Sequence, residues 1–454
     1  MSSTKLLVTV LLFTAVITSP LYSQTAVAPS AGDGSAGNPY QISTLENLYW
    51  IAVDGIRWGY SYVQTADIDA GETKDWFDGA GWSPIGNSTT TFTGNYNGRG
   101  YSIDSLFINR PTQEYIGLFG RTFDTHIDSV GLTECNITGG PNFVSGLVGN
   151  AVNCTINASY STGSVSGNGD RVGSLVGLAH SGTISNSYST GSVSGDDYIG
   201  GLVGYAINDT ISNCYSTGSV SGDDYIGGLV GYNNGGTVNK SFWDVDSSGQ
   251  ATSAGGTGKT TAEMKTMSTY TDSTWDFMGE SDNGTDDIWG INSRDNNGYP
   301  FLKWQGYKLE QAVSFTVPDT VPDTLTYGDA PFTINASSSA NLSVIFTSSD
   351  PLVAEISGNT VVIKGAGSAT ITARQDGDGT YYPASSSKKL TVRKKPASIT
   401  GVTAADKVYN GTTAATLSGG NLSGLVTGDI VTLTKGTGAF ASKNVGTGKA
   451  VTGC

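Results

Sequence analysis

Between residues 115 and 243 the apolar positions fall in short runs bounded by Gly, Asn and Asp, which is how strands and their turns read. The block YIGGLVGYAINDTISNCYSTGSVSG, from Tyr198, holds two such runs. RVGSLVGLAHSGTISNSYSTGSVSG from Arg171 and YIGGLVGYNNGGTVNKSFWD from Tyr225 repeat it, a looser copy starts at Phe143, and a degraded one at Tyr115. The central leucines Leu118, Leu147, Leu175, Leu202 and Leu229 are 29, 28, 27 and 27 residues apart. A fixed period of this length marks a repeat array. No block carries apolar residues at i, i+3, i+4 and i+7, so helical repeats fit poorly. The pattern predicts an all-β fold around a parallel β-solenoid of about five turns, one per repeat.

In such a coil equivalent residues of successive turns stack roughly 4.8 Å apart. Three columns then form the repeat core. Leu147, Leu175, Leu202 and Leu229 make the first, and Ile156, Ile184, Ile211 and Val238 the second. Tyr160, Tyr188, Tyr215 and Phe242 make the third, all three facing inward. One turn alone cannot bury its apolar face, so stacking supplies the partner.

The flanking pattern predicts caps and further modules. Residues 1–23 read as a secretory signal peptide: Lys5, an apolar run over 6–17, then small residues before Gln24. Residues 24–110 read as an N-terminal cap with the first strands. Ser43-Thr44-Leu45-Glu46 spells a capping box for a helix burying Leu45, Leu48, Tyr49 and Ala52. Strand-like segments follow at 62–68, 82–85, 92–96 and 101–108. The repeats occupy 111–245. Residues 246–307 read as the C-terminal cap: a second capping box from Thr260 to Glu263, then Met264, Met267, and a plug of Trp275, Trp289, Tyr299, Phe301 and Trp304. Covering both ends prevents edge-to-edge association. On both sides of the stiff VPDTVPDT stretch, short alternating segments over 308–395 predict an Ig-like β-sandwich, with a last partial module over 396–454.

The GGLVG–Y–S–G pattern resembles the GLUG motif, a bacterial repeat. GSAGNPYQIST at Gly34, ADIDA at Ala66, GWSPIG at Gly81, FTGNYNGRGYSI at Phe92, and GKTTAEMKT from Gly258 with a later GYPFL extend the resemblance over 34–304. Proteins of this kind are secreted or surface-attached, many adhesin-like, and some immunoglobulin A-cleaving metallopeptidases carry the repeats beside a catalytic domain. The resemblance implies exposure outside a bacterial cell and names no ligand. TLTYGDAPF and the run from Ser348 to Ala373 resemble bacterial Ig-like and MBG-type stalk domains. ITGVTAADKVYNGTTAATLSG resembles the YDG domain, with Asn410 where that family has Asp. The chain stops at Cys454, before the last strands such a module needs, as a truncated fragment would.

Composition narrows the chemistry. The 454 residues include 63 glycines and only 14% charged residues, against about 25% in an ordinary globular chain. Net charge is −15, and no basic cluster exceeds Arg393-Lys394-Lys395, which excludes nucleic acid and anionic membranes as partners. No stretch after the signal is apolar enough to span a bilayer. Two histidines, His126 and His180, with no HExxH spacing, exclude a zinc peptidase site and a Ser-His-Asp triad. Gly255–Thr260 imitates a phosphate loop, but Ser253 replaces its first glycine and no buried strand precedes it.

Asp196, Asp197, Asp223 and Asp224 stack one turn apart, above Asn168 and Asp170. Gly-Asp-Asp reads first as a turn. The second reading is a shared calcium ion, and no other cofactor is expected. Tyr205 and Tyr232 are candidates for an exposed face, although Leu178 interrupts their column. Cys135, Cys154, Cys214 and Cys454 sit at different offsets, so their pairing stays open. Together these features predict a secreted or cell-surface monomer, adhesin-like and not an enzyme, with an extracellular glycan or protein ligand. The rival readings are a polysaccharide-active β-helix enzyme and a passive spacer.

Overall fold

A computed structural model describes residues 24–316 and 321–453. The expected signal peptide, part of the VPDTVPDT stretch and Cys454 lie outside those residues. The chain divides into two compact units, residues 1–307 and 308–454.

The first unit is mostly β and built on a parallel β-solenoid of about five repeat turns. Each turn lays one strand into each of three walls. Phe119–Phe123, Val148–Val152, Val176–His180, Val203–Ile207 and Val230–Asn234 form one wall. Asn142–Ser145, Asp170–Gly173, Asp197–Gly200 and Asp224–Gly227 form the second. The third carries the TIS and YS strands, with Ile156, Ile184, Ile211 and Val238 in register. Leu147, Leu175, Leu202 and Leu229 are fully buried inside, where every rung adds apolar area that a lone turn would expose.

The ladder reaches beyond the expected repeats. Tyr40 pairs with Tyr62, Tyr62 with Tyr96, and Tyr96 with Ile127, which pairs with Ile156. Residues 40–104 therefore continue the coil as extra rungs and are not merely a cover for it. The helix Leu45–Ala52 closes this end, burying Leu45, Leu48, Tyr49 and Ala52. Its N-cap is Thr44, whose hydroxyl accepts from the Asn47 amide, where the capping-box pattern pointed to Ser43.

Each turn bends at three corners through a left-handed residue, and φ > 0 is costly for most side chains. Asp124, Asn153, Ser181 and Asn208 hold one corner, and Ser129, Ala158, Asn186, Asn213 and Lys240 another. Asn and Asp tolerate this geometry best. The close approach of wall to wall explains the GGLVG glycines: a Cβ on Gly200 would lie 1.9 Å from the Val203 carbonyl oxygen.

The segment after the repeats does two separate things. Thr257–Lys259 adds a parallel strand to Phe242–Asp244, while Gly255 and Gly256 close over Val238 and Leu229. Residues 260–305 then turn back and lie along the outside of the third wall, so they cover a flank where an end plug was expected. Thr260 and Glu263 form the capping box that starts this stretch.

In the second unit, Thr324–Thr326, Ala384–Arg393, Gly367–Gln375 and Ile345–Ser348 make one sheet, and Phe332–Thr333, Thr360–Ile363 and Ala354–Ser357 another. Ile334, Val361, Ile371 and Leu390 are buried in one shared core. Ser398–Ala404 and Leu417–Ser423 pair antiparallel further along the chain.

Candidate binding face

At the third corner the left-handed residue is never small. It is Tyr115, Phe143, Arg171, Tyr198 and Tyr225 in successive turns, with φ between 55° and 62°. Strain of about 1–3 kcal/mol at each bulky corner persists only where something stabilises it. Side-chain stacking does so here. Tyr115 lies 4.8 Å from Phe143, and Tyr198 lies 4.8 Å from Tyr225 with the rings 10° from parallel. Between the two pairs, the Arg171 guanidinium sits 5.4 Å over Phe143 and 5.5 Å over Tyr198. The corner thus carries one continuous ladder of rings and a cation.

A second column runs beside it: Arg121, Asn150, Leu178, Tyr205 and Tyr232, held in register by the first wall. Tyr205 stacks on Tyr198 at 5.3 Å, and Tyr232 meets Tyr205 and Tyr225 edge-on, each at 5.1 Å. Leu178 does interrupt this column, but Arg171 bridges the same turn from the corner, 5.8 Å over Tyr205. Tyr225 is 53% exposed at the last rung. The Tyr198 phenol is held above its usual range by partial desolvation first, then by Tyr225 and the nearby Asp170 and Asp197, with Arg171 opposing. Rings and carboxylates therefore share one edge. Sequence reasoning found Tyr205 and Tyr232 and missed the corner column, although its members are the first residues of the blocks.

A shared calcium ion is the second reading of the four aspartates, after a turn. Among the described residues no three His, Cys, Asp or Glu side chains converge well enough to hold a metal ion. The Asp224 amide donates to the Asp197 carboxylate at 3.1 Å, and the two residues open their strands in register one turn apart. None of Asp196, Asp197, Asp223 and Asp224 forms an ion pair among the described residues.

The column Tyr160, Tyr188, Tyr215 and Phe242 is buried, but outside the coil and not facing inward as expected. It shares a second core with Met264, Tyr270, Trp275, Phe277 and Trp289 from the covering segment. Tyr188 exchanges hydrogen bonds with Gln305, while the Tyr215 hydroxyl donates to the Pro300 carbonyl and accepts from Asn296. Burial pushes both phenols well above their usual range. Cys135, Cys154 and Cys214 are free and buried, and burial pushes the Cys135 thiol up to about 11 and the Cys214 thiol to about 12. Such thiols are inert.

One buried acid went unnoticed in the sequence. Asp209 is 3% exposed; its Oδ2 accepts from the Gly182 amide at 2.9 Å and its Oδ1 has no partner. The residues in equivalent positions on the neighbouring turns are Gly182 and Gly236, which leave it room. Desolvation raises its carboxyl to about 6. The signal was a repeat position that changes from glycine to a charge.

Comparisons with known proteins match this chain piecewise. The GLUG motif profile matches residues 168–194 and 195–221, and the YDG domain profile matches 393–454. Halomucin from Haloquadratum walsbyi is 38% identical over 144 residues, which is 30% of this chain and 2% of that protein. A provisionally named Gly-rich membrane protein from Evansella cellulosilytica is 37% identical over 141 residues, covering 30% of this chain and 16% of its own length. Each shared segment is a small part of the relative. A crystal structure of a candidate immunoglobulin A1 protease from Bacteroides ovatus superposes with a TM-score of 0.43 at 16% identity, over 61% of this chain and 95% of that one.

Proposed function

We propose that this chain is a secreted or cell-surface binding protein, adhesin-like and without catalytic activity, that presents the corner ladder to an extracellular glycan or protein. The MBG- or Ig-like and YDG modules serve as its stalk. The observation that carries the reading is the corner itself. At two corners of the coil five of the nine left-handed residues are Asn or Asp, and the third spends strain only on large rings and arginine at the solvent edge. Strain kept at an exposed, ordered array is what a binding surface retains. A rigid row of similar groups suits many weak contacts acting together. The names of the relatives, a halomucin and a membrane protein, support a place outside the cell. Among the described residues no helix is long and apolar enough to cross a membrane.

The test is binding of the full chain to arrays of extracellular glycans and proteins, with product release followed in parallel. The expected result is retention of at least one ligand without turnover, lost in the Tyr198→Leu/Tyr205→Leu double variant. No retention, or release of reducing ends from a polysaccharide, would overturn it.

A further inference from the structure

We infer that the open end of the ladder, the outer face of Tyr225 with the Asp224 carboxylate beside it, is a site for an arginine side chain of a basic polypeptide. The inference rests on the reading of the ladder as a binding face and names its ligand. The coil already contains the arrangement once, made from its own residues. Arg171 lies one rung beyond Phe143, with its guanidinium 5.4 Å over that ring. Its Nη1 donates at 2.5 Å to Oδ1 of Asn142, the residue just before Phe143. In the wall register Asn142 lies in column with Asp170, and Asp197 with Asp224; matched Val172 and Ile199 join the two pairs. The counterpart of Asn142-Phe143 at the last rung is therefore Asp224-Tyr225.

Among the described residues no strand follows Asp224–Gly227 in its sheet, so none in this wall covers Tyr225 as Arg171 covers Phe143. The ring stays 53% exposed, and Asp224 is exposed and unpaired by any cation among the described residues. The first exchange strengthens the hold on an incoming guanidinium and the second preserves it. A carboxylate in place of the Asn142 amide gives a charge-assisted hydrogen bond. Tyr, like Phe, offers a negative ring face to a cation. The planar guanidinium satisfies stacking and hydrogen bonding together, which an ammonium does less well. The net charge of −15 attracts basic chains at long range.

Fluorescence anisotropy of a labelled hexa-arginine peptide titrated with the full chain tests the site. Saturable binding is expected, tighter than for hexa-lysine. Tyr225→Leu should weaken it about threefold and Asp224→Asn about fivefold, while Tyr225→Phe, which restores the Phe143 arrangement, should leave it unchanged. Both positions are exposed, so circular dichroism should confirm that all three variants fold. Equal binding by all variants would reveal bulk charge attraction and overturn the site. A chain that retains array ligands through Tyr198 and Tyr205 but ignores hexa-arginine would sink the arginine site and leave the binding role standing. A chain that binds neither would sink both.

Discussion

Two stacks of rings climb the same coil at the same pitch and meet opposite surroundings. Tyr160, Tyr188 and Tyr215 are spaced by 4.9 and 5.0 Å, and Tyr198 and Tyr225 by 4.8 Å. The pitch is shared because it is the spacing of hydrogen-bonded strands. The first stack lies under residues 260–305, loses its solvent and ties its hydroxyls to Gln305 and Pro300. The second lies at a corner that no later segment of the first unit covers among the described residues. Repetition sets the geometry of both. What the chain does after leaving the coil decides which is core and which is surface.

The largest expected effect tests the covered stack. Tyr215→Ala should destabilise the first unit by about 3–5 kcal/mol, the range for a buried aromatic. All eight tryptophans lie before residue 308, so their fluorescence during denaturant unfolding reports on that unit alone. A loss below about 1 kcal/mol would break the contrast with Tyr225.

The same contrast holds between carboxylates, Asp209 covered and Asp224 open. The carboxyl of Asp209 is raised from 3.8 to about 6 in the folded coil, so ionisation opposes folding. Its stabilising contribution is full below about pH 4 and is lost as pH climbs through about 6. Asp209→Asn should therefore raise the stability of the first unit at pH 7 by up to about 3 kcal/mol and leave it unchanged at pH 3.5. A thermal melt at the two pH values checks this, and equal shifts at both would show that charge is not the cause.

Tyr215→Phe sharpens the comparison by keeping the ring and removing the hydroxyl that serves Pro300 and Asn296. A cost of about 1–2 kcal/mol is expected in the same unfolding experiment, since two polar partners lose their bond. The smallest effect falls on the open stack. Tyr225→Ala should change stability by no more than about 0.5 kcal/mol, because the ring is half in water and its corner strain is relieved only partly. A change as large as that of Tyr215→Ala would make the ladder a structural seam.

Much of the coil was legible because its signals repeat. The leucine column, the isoleucine column and the period follow from residues that return at fixed offsets, and stacked copies must place like over like. The helix at Leu45 was legible from its capping residues, although Thr44 and not Ser43 takes the cap. The early rungs were less so: Tyr40, Tyr62 and Tyr96 occupy the isoleucine column without the GGLVG–Y–S–G pattern around them. The corner ladder was overlooked because Arg171 breaks a run of aromatic letters. In space it completes the run, since a guanidinium stacks on rings as a ring does. The second reading of the aspartates, a shared calcium ion, meets a related obstacle: neighbouring aspartates on a ladder share a direction, and converging ligands need several.

By itself the sequence determined the strand character, the period and the register, because these depend on local propensity and on the match between one turn and the next. It also determined that the two ring columns would stack, since that spacing comes with the register. Only the tertiary structure decided which column is buried, because that depends on residues 260–305 returning to a wall 35 to 146 residues behind them. No local pattern encodes that return. The same long-range closure left Tyr225 open at the last rung and buried Asp209 between two glycines.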